Sequence, residues 1–122
     1  MTLNLVPGDI EGLPIARAAI VGNLIICTIV PDDETGQILD GTALVQSRLV
    51  FANLSRLLED CGSSLARVAH VTIYLPDLAD RDSMTVAWRE AFGDQPPARA
   101  TIGVAALAHL DMKIEITAIA HV

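Results

Sequence analysis

The chain begins its regular pattern with two short runs of mostly apolar residues that are rich in Ile and Val. They cover residues 16–21 and 24–30, and the pair Gly22-Asn23 between them favours a tight turn. This pattern predicts a β-hairpin. A polar turn at residues 31–36 is expected to follow it.

The apolar spacing changes to a helical one after the hairpin. Over residues 42–61 apolar side chains recur every three or four positions, and Gly62 follows as a residue that commonly ends a helix. The pattern predicts a helix here. Gln46 and Asn53 are expected on a different face from its apolar stripe.

A second helix is predicted just before Gly93, with Asp80 or Asp82 as its N-terminal cap. Its apolar residues follow i, i+3, i+4, i+7, i+8 spacing, as on the buried face of an amphipathic helix. They are Met84, Ala87, Trp88, Ala91 and Phe92.

Residues between and after the helices show the two-residue period of half-buried strands. Strands are predicted over residues 67–75, 98–105 and 112–121, with Glu115 pointing away from the apolar face of the last one. In the first of these strands, the core-facing residues are expected to be Ala69, Val71, Ile73 and Leu75. The order β-β-α-β-α-β-β predicts an α+β domain with helices on one face of a sheet.

Composition narrows the class of protein. The 122 residues suffice for one domain, residues 1–122. Eight basic against fifteen acidic residues give a net charge of −7, which disfavours nucleic-acid binding. Apolar residues make up 52% of the chain, and a small domain buries only part of such a surface alone, so an oligomer is expected.

Neither a membrane nor a secretory destination is expected. The most apolar stretch, residues 13–30, is interrupted by Arg17 and Gly22-Asn23, whereas a spanning helix needs about 20 apolar residues. Cys27 and Cys61 form neither a disulfide framework nor a metal motif, so they are expected to be buried free thiols. The sequence predicts a cytoplasmic protein.

Arg99 and Glu115, one on each closing strand, are the candidate chemical groups. A guanidinium can hold a carboxylate through two parallel hydrogen bonds. Glu115 lies among isoleucines, where burial would raise its pKa and suit it to activate a water molecule. An ordinary cross-strand Arg–Glu ion pair is the alternative. The three histidines, His70, His109 and His121, are dispersed and show no metal-ligand spacing.

Several short motifs occur in an order that resembles the RidA/YjgF family of reactive-intermediate deaminases. The resemblance covers residues 14–122, and the Pro-Ala-Arg strand with the closing Ile-Glu-Ile strand makes it specific. The motifs are Val21-Gly22-Asn23-Leu24, Asp33-Glu34-Thr35-Gly36, Asn53-Leu54, Val71-Thr72-Ile73-Tyr74-Leu75-Pro76-Asp77-Leu78, Pro97-Ala98-Arg99 and Lys113-Ile114-Glu115-Ile116.

This resemblance implies a chorismate-mutase-like fold, assembled as a homotrimer with clefts between subunits. It also implies hydrolysis of 2-aminoacrylate-type enamines and imines to 2-keto acids and ammonium, without metal or organic cofactor. Arg99 matches the arginine that holds the substrate carboxylate. Glu115 matches the glutamate that positions the attacking water.

Other positions depart from the family pattern. Ile15 replaces an aromatic residue, and residues 27–30 replace a Ser-Gly-Gln run, with Thr28 nearest to the serine. Thr85 stands where an asparagine is common, and Thr101 where many members have cysteine. The resemblance therefore implies an altered substrate-binding cleft with the same anchor and acid.

Two functions follow from these residues. The first is an imine deaminase, for a bulkier or more apolar substrate because Ile15 and Ile29 line the cleft. The second is a non-catalytic trimer that binds small carboxylates or 2-keto acids. Chorismate mutase activity ranks lower because only Arg99 and Lys113 supply cations in the closing strands. Ribonuclease activity ranks lower because of the acidic charge.

Overall fold

A computed structural model describes residues 3–8 and 13–122. Those residues form six strands and two long helices. In chain order they are β1 Leu3–Pro7, β2 Ala16–Val21, β3 Leu24–Ile29, α1 Ala43–Asp60, β4 Val68–Leu75, α2 Arg81–Phe92, β5 Ala98–Gly103 and β6 Glu115–His121. One-turn 3₁₀ helices at Leu65–Arg67 and Leu78–Asp80 precede β4 and α2.

The strands form one mixed sheet in the order β1-β2-β3-β6-β4-β5. β4 and β5 are parallel, and the other neighbours are antiparallel. The predicted α+β order is confirmed, with β1 as an additional edge strand. β1 is short and ends at Pro7, which lacks the N–H needed to continue a ladder, so its sequence carries little strand signal.

The predicted hairpin forms, with Val21 opposite Leu24. Gly22 has φ of +60°, a conformation that residues with a Cβ rarely adopt, and it is the first of the two turn residues. This position is where a type II′ hairpin turn needs glycine.

Both helices pack on the same face of the sheet, which we call the covered face. Buried strand residues on this face include Ile25, Ile73 and Ile116, which are fully buried in one cluster with α1 and α2. The opposite face, which we call the open face, carries exposed apolar side chains that none of the described residues cover. They include Leu5, Leu24, Ile26, Ile102 and Ile119.

Two predictions about the core are wrong. Val68, not Ala69, joins the core, because a register shift between Val68 and His70 reverses the alternation at the start of β4. Gln46 and Asn53 are buried rather than set apart from the core. The Gln46 amide donates to the carbonyls of Leu39 and Asp111 at 2.9 and 2.8 Å, so its burial is offset by hydrogen bonds.

The predicted helix ends are largely confirmed. Gly62, with φ of +80°, follows α1, and Gly93, with φ of +56°, ends α2. Asp80 occupies the N-cap position of α2, but its side chain makes no capping hydrogen bond. Asp77 instead caps the preceding 3₁₀ helix by accepting from the Ala79 N–H at 2.9 Å.

Both cysteines are free thiols. Cys27 is buried, and burial raises the pKa of its thiol to about 12. Cys61 is only partly buried, contrary to the prediction, because it lies at the C-terminal end of α1. Among residues 3–8 and 13–122, no helix is long and apolar enough to cross a bilayer.

Candidate active site

Arg99 lies on the edge strand β5 and points to the covered face, beside α2. Its Nη2 is 3.3 Å from the Thr85 hydroxyl, and its Nη1 is 3.8 Å from the Met84 sulfur. Its Cζ is 5.1 Å from the centre of the Trp88 ring, a favourable cation–π distance. Three side chains from two consecutive turns of α2 therefore hold the guanidinium.

The Thr85 hydroxyl is suited to accept from Arg99 because its own proton is already used. Thr85 Oγ1 donates to the Arg81 carbonyl, 2.9 Å away and one turn earlier. A hydroxyl has one proton and two lone pairs, so the Thr85 oxygen can still accept a hydrogen bond from Arg99 through a lone pair. This arrangement fixes one edge of the guanidinium.

Arg99 is a cation in a strongly positive setting. Burial lowers its pKa, and the charges of Arg81 and Arg89 lower it further. An arginine nonetheless stays charged in proteins. Within the described part of the chain, no carboxylate forms an ion pair with it. An anion bound here would therefore gain a charge-assisted hydrogen bond without displacing a protein carboxylate.

Glu115 begins β6 and points to the open face. It lies between the buried Ile114 and Ile116 and opposite Tyr74 of β4. Burial raises the pKa of its carboxyl group. Thr117 lies two residues further along the same face, and Thr28 of β3 pairs with Thr117. Glu115 is therefore a partly desolvated acid on the same face of the sheet as the hydroxyl groups of Thr117 and Thr28.

Thr28 of β3 and Ile15, just before β2, line the same cavity of about 120 Å³. Its walls include the apolar residues Leu13, Ile29 and Val30. Polar residues lie at one side of it, where Asn53 donates to the carbonyls of Val30 and Asp32 at 3.0 Å each and Arg56 Nη2 is 2.6 Å from Asn53 Oδ1.

The predicted site residues fall into two groups, one on each face of the sheet. The first, which we call the arginine group, is on the covered face and consists of Arg99, Thr85 and Thr101. Thr101 belongs there because it pairs with the buried Ile73. The second, which we call the glutamate group, consists of Glu115 and Thr28 on the open face, together with Ile15, which lies just before β2 and shares a cavity with Thr28.

One chain does not bring the two groups together. β4 lies between β5 and β6 in the sheet, so Arg99 and Glu115 are not cross-strand neighbours. They also point to opposite faces, because Arg99 pairs with the buried Val71 and Glu115 with Tyr74. The alternative of an ordinary Arg–Glu ion pair is therefore wrong.

Sequence reasoning missed one neighbour of the arginine group. Trp88 was expected only as a core residue, and it is both buried and stacked near Arg99. The spacing of Arg81, Thr85 and Arg89, one helical turn apart, was a visible signal that these side chains share one face of α2. No three or more metal-binding side chains cluster anywhere in residues 3–8 and 13–122.

The six-stranded sheet with two helices on one face is the α+β architecture that the motif resemblance implies. Residues 14–122 match the family described as Endoribonuclease L-PSP. The chain therefore belongs to this family, which is also the RidA/YjgF family.

Relatives of known name are similar to this chain over most of their own length, which supports this assignment. A RutC family protein of Pyrococcus abyssi is 40% identical over 88% of this chain and 86% of its own. The 3-aminoacrylate deaminase RutC of Acinetobacter baylyi is 32% identical over 89% and 87%. The crystal structure of RidA from an Antarctic Psychrobacter superposes with a TM-score of 0.88, at 27% identity, covering 98% of this chain and 99% of that one.

Proposed function

We propose that this protein is a hydrolase that deaminates reactive enamines and imines of the 2-aminoacrylate type, giving 2-keto acids and ammonium. The named activity of the RutC relative supports this proposal, because that protein is a 3-aminoacrylate deaminase and is similar over most of this chain. The two unpaired chemical groups, a cation and a partly desolvated acid, match the needs of such a reaction.

One observation carries the proposal: the arginine group and the glutamate group lie on opposite faces of one sheet. A single chain cannot present both to one small substrate. A second copy can, if its glutamate group approaches the edge strand β5 of the first. We therefore place the active site between subunits of a homotrimer, and the exposed apolar residues of the open face support such an assembly.

The chemistry follows from the two groups. Arg99 binds the substrate carboxylate and so fixes the position of the neighbouring imine carbon. The Glu115 carboxylate takes a proton from a water molecule as the water oxygen forms a bond to the carbon of the protonated imine, giving a neutral tetrahedral carbinolamine. Glu115 then returns this proton to the nitrogen. As the carbon–nitrogen bond breaks and the carbonyl forms, Glu115 takes the hydroxyl proton and passes it to the departing ammonia, which leaves as ammonium.

The remaining residues shape the cleft. Thr28 and Thr101 offer hydroxyl groups from opposite sides of the proposed interface, and Ile15 supplies an apolar wall. We expect no metal or organic cofactor, because the imine carbon is already electrophilic. Two free thiols support a reducing compartment such as the cytoplasm.

A non-catalytic carboxylate-binding trimer is the second candidate. The unpaired Arg99 favours it as much as the enzyme, whereas the raised pKa of Glu115 favours the enzyme. Ribonuclease activity, which the family description names, is not favoured here because a net charge of −7 opposes binding to a phosphate backbone.

Mixed oligomers test the proposal. An amino-acid oxidase generates imines, and the rate of imine loss is followed with the wild type, Arg99→Ala and Glu115→Gln. Each variant alone should be inactive. After the two variants are dissociated, mixed in equal amounts and reassembled, random assembly should form intact sites at about one quarter of the interfaces, and activity should return to about that level.

The control mixes Arg99→Ala with the double variant Arg99→Ala, Glu115→Gln, which has no intact arginine group and should stay inactive. Absence of recovery in oligomers shown to be mixed would rule out a site shared between subunits. Absence of acceleration by the wild type for every imine, despite carboxylate binding, would identify the protein as a binder.

A further inference from the structure

Three of the eight basic residues of this acidic chain lie together, namely the proposed carboxylate anchor Arg99 and two arginines of α2. Arg81 and Arg89 are on α2, four residues before and after Thr85, so all three side chains lie along one face of the helix. Thr85 contacts Arg99 of β5. The two helix arginines therefore flank Arg99.

Arg89 and Arg99 line the same open cleft. Its other lining residues include Thr85, Trp88 and Asp94. Within the described ranges, neither arginine forms an ion pair with a carboxylate, Asp94 included. Arg81 is different, because its Nε is 3.9 Å from the carboxylate of the adjacent Asp82.

The C-terminus of α2 accounts for the position of Arg89, but it does not account for the clustering of three arginines. Arg89 is in the last turn of α2, where a positive charge interacts favourably with the helix dipole. Placing that charge near Arg99 is unfavourable, however, since like charges repel, and both Arg81 and Arg89 act on Arg99 in this way. An anion between the guanidinium groups would turn this repulsion into attraction.

We propose that the cleft binds a substrate with two carboxylates, of the class of four- and five-carbon dicarboxylic 2-imino acids. Arg99 holds the carboxylate next to the imine carbon, and Arg89 holds the carboxylate of the substrate side chain. Arg81, already engaged with Asp82, contributes to the positive field without a direct contact. This inference rests on the proposed deaminase function and names its substrate class.

The test uses Trp88, which is the only tryptophan and lies against Arg99. The assembled protein is titrated with two stable product analogues, 2-oxobutanoate with one carboxylate and 2-oxoglutarate with two, while tryptophan fluorescence is followed. We expect 2-oxoglutarate to bind about tenfold more tightly, the size of one charge-assisted hydrogen bond at a partly exposed site.

Variants separate the two arginines. Arg89→Gln should remove most of the preference for 2-oxoglutarate and leave the binding of 2-oxobutanoate within about twofold. Arg67→Gln is the matched control, because it removes the same charge from an exposed position outside the cleft and should keep the preference. Arg99→Gln should weaken the binding of both acids.

Equal affinity of the wild type for the two acids, or an Arg89→Gln variant that keeps the preference, would overturn this inference. The deaminase proposal would stand in that case, provided that one-carboxylate imines are still hydrolysed. Failure of both acids to bind to a folded, assembled wild type would instead overturn Arg99 as the anchor, and the proposed function with it.

Discussion

The two faces of the sheet differ in what covers them, although the same strands build both. On the covered face, side chains such as Ile25 and Ile73 are completely buried under the helices. On the open face, the two sequence neighbours of Ile25, Leu24 and Ile26, remain 47% and 46% exposed. Alternation along a strand therefore separates residues that stabilise the single chain from residues available to another copy.

Each face also carries one half of the proposed chemistry. Arg99 is held on the covered face because α2 supplies a hydroxyl and an aromatic ring for it. Glu115 lies on the open face, where part of its surface is already desolvated by the sheet. The single chain thus builds its core between the helices and the covered face. On our proposal, the active site is completed only when the open face of one subunit contacts another subunit.

One substitution on each face should separate the effects on folding from the effects on assembly. Ile73→Ala leaves a cavity under the helices and should lower the free energy of unfolding by about 2–5 kcal/mol. Ile26→Asp should leave the far-ultraviolet circular dichroism spectrum unchanged and dissociate the oligomer, because it places a charge on the apolar open face. Urea unfolding and light scattering measure the two effects.

Both measurements need matched protein concentrations, since assembly adds to apparent stability. Ala52→Asp, at an exposed position of α1, is the control for added charge and should leave assembly unchanged. A monomeric wild type, or an Ile26→Asp variant that remains assembled, would show that the open face is not the contact surface.

The acid on the open face should also make stability depend on pH. Burial raises the pKa of Glu115 in the folded state, so the folded protein holds this proton more tightly than the unfolded chain. The resulting stability is present at low pH and is lost as the pH rises through the raised pKa. Glu115→Gln should not show this loss.

The difference in unfolding free energy, variant minus wild type, should therefore increase as the pH rises from about 4, near the usual pKa of a glutamate, through the raised pKa of Glu115. Asp33 and Glu90, whose pKa values are lowered by hydrogen bonds from Thr35 and Arg48, titrate in both proteins and cancel in the difference. If Glu115 is the base, imine loss by the wild type should increase over the same pH range. A constant difference would contradict the raised pKa.

Local patterns in the sequence predicted both long helices and every strand except β1, and they placed Arg99 and Glu115 on their strands. Apolar periods predicted α1, α2 and the closing strands, and Gly62 and Gly93 predicted where the helices end. Alternation also placed Glu115 opposite the apolar face of its own strand. These predictions depend on residues within about ten positions of one another.

The order of the strands in the sheet and the contacts between distant residues could not be predicted from local patterns. Alternation fixes faces within one strand, but the insertion of β6 between β3 and β4 decides how Arg99 and Glu115 relate. Gln46 and Asn53 were misplaced for a similar reason. Their hydrogen-bond partners, such as the carbonyls of Asp111 and Val30, are 65 and 23 residues away.

The smallest expected effect concerns the hydrogen bond between Thr85 and Arg99 on the covered face. Thr85→Val removes the hydroxyl 3.3 Å from Arg99 and keeps the shape of the side chain. One such hydrogen bond contributes about 0.5–1.5 kcal/mol, so KM for imine hydrolysis should rise about two- to tenfold. Because Thr85 acts through Arg99 and not on the reacting carbon, kcat should stay nearly constant, and Thr85→Ser should restore KM. A fall in kcat with unchanged KM would instead place the hydroxyl at the reacting atoms, and the two faces would then meet closer to α2 than we propose.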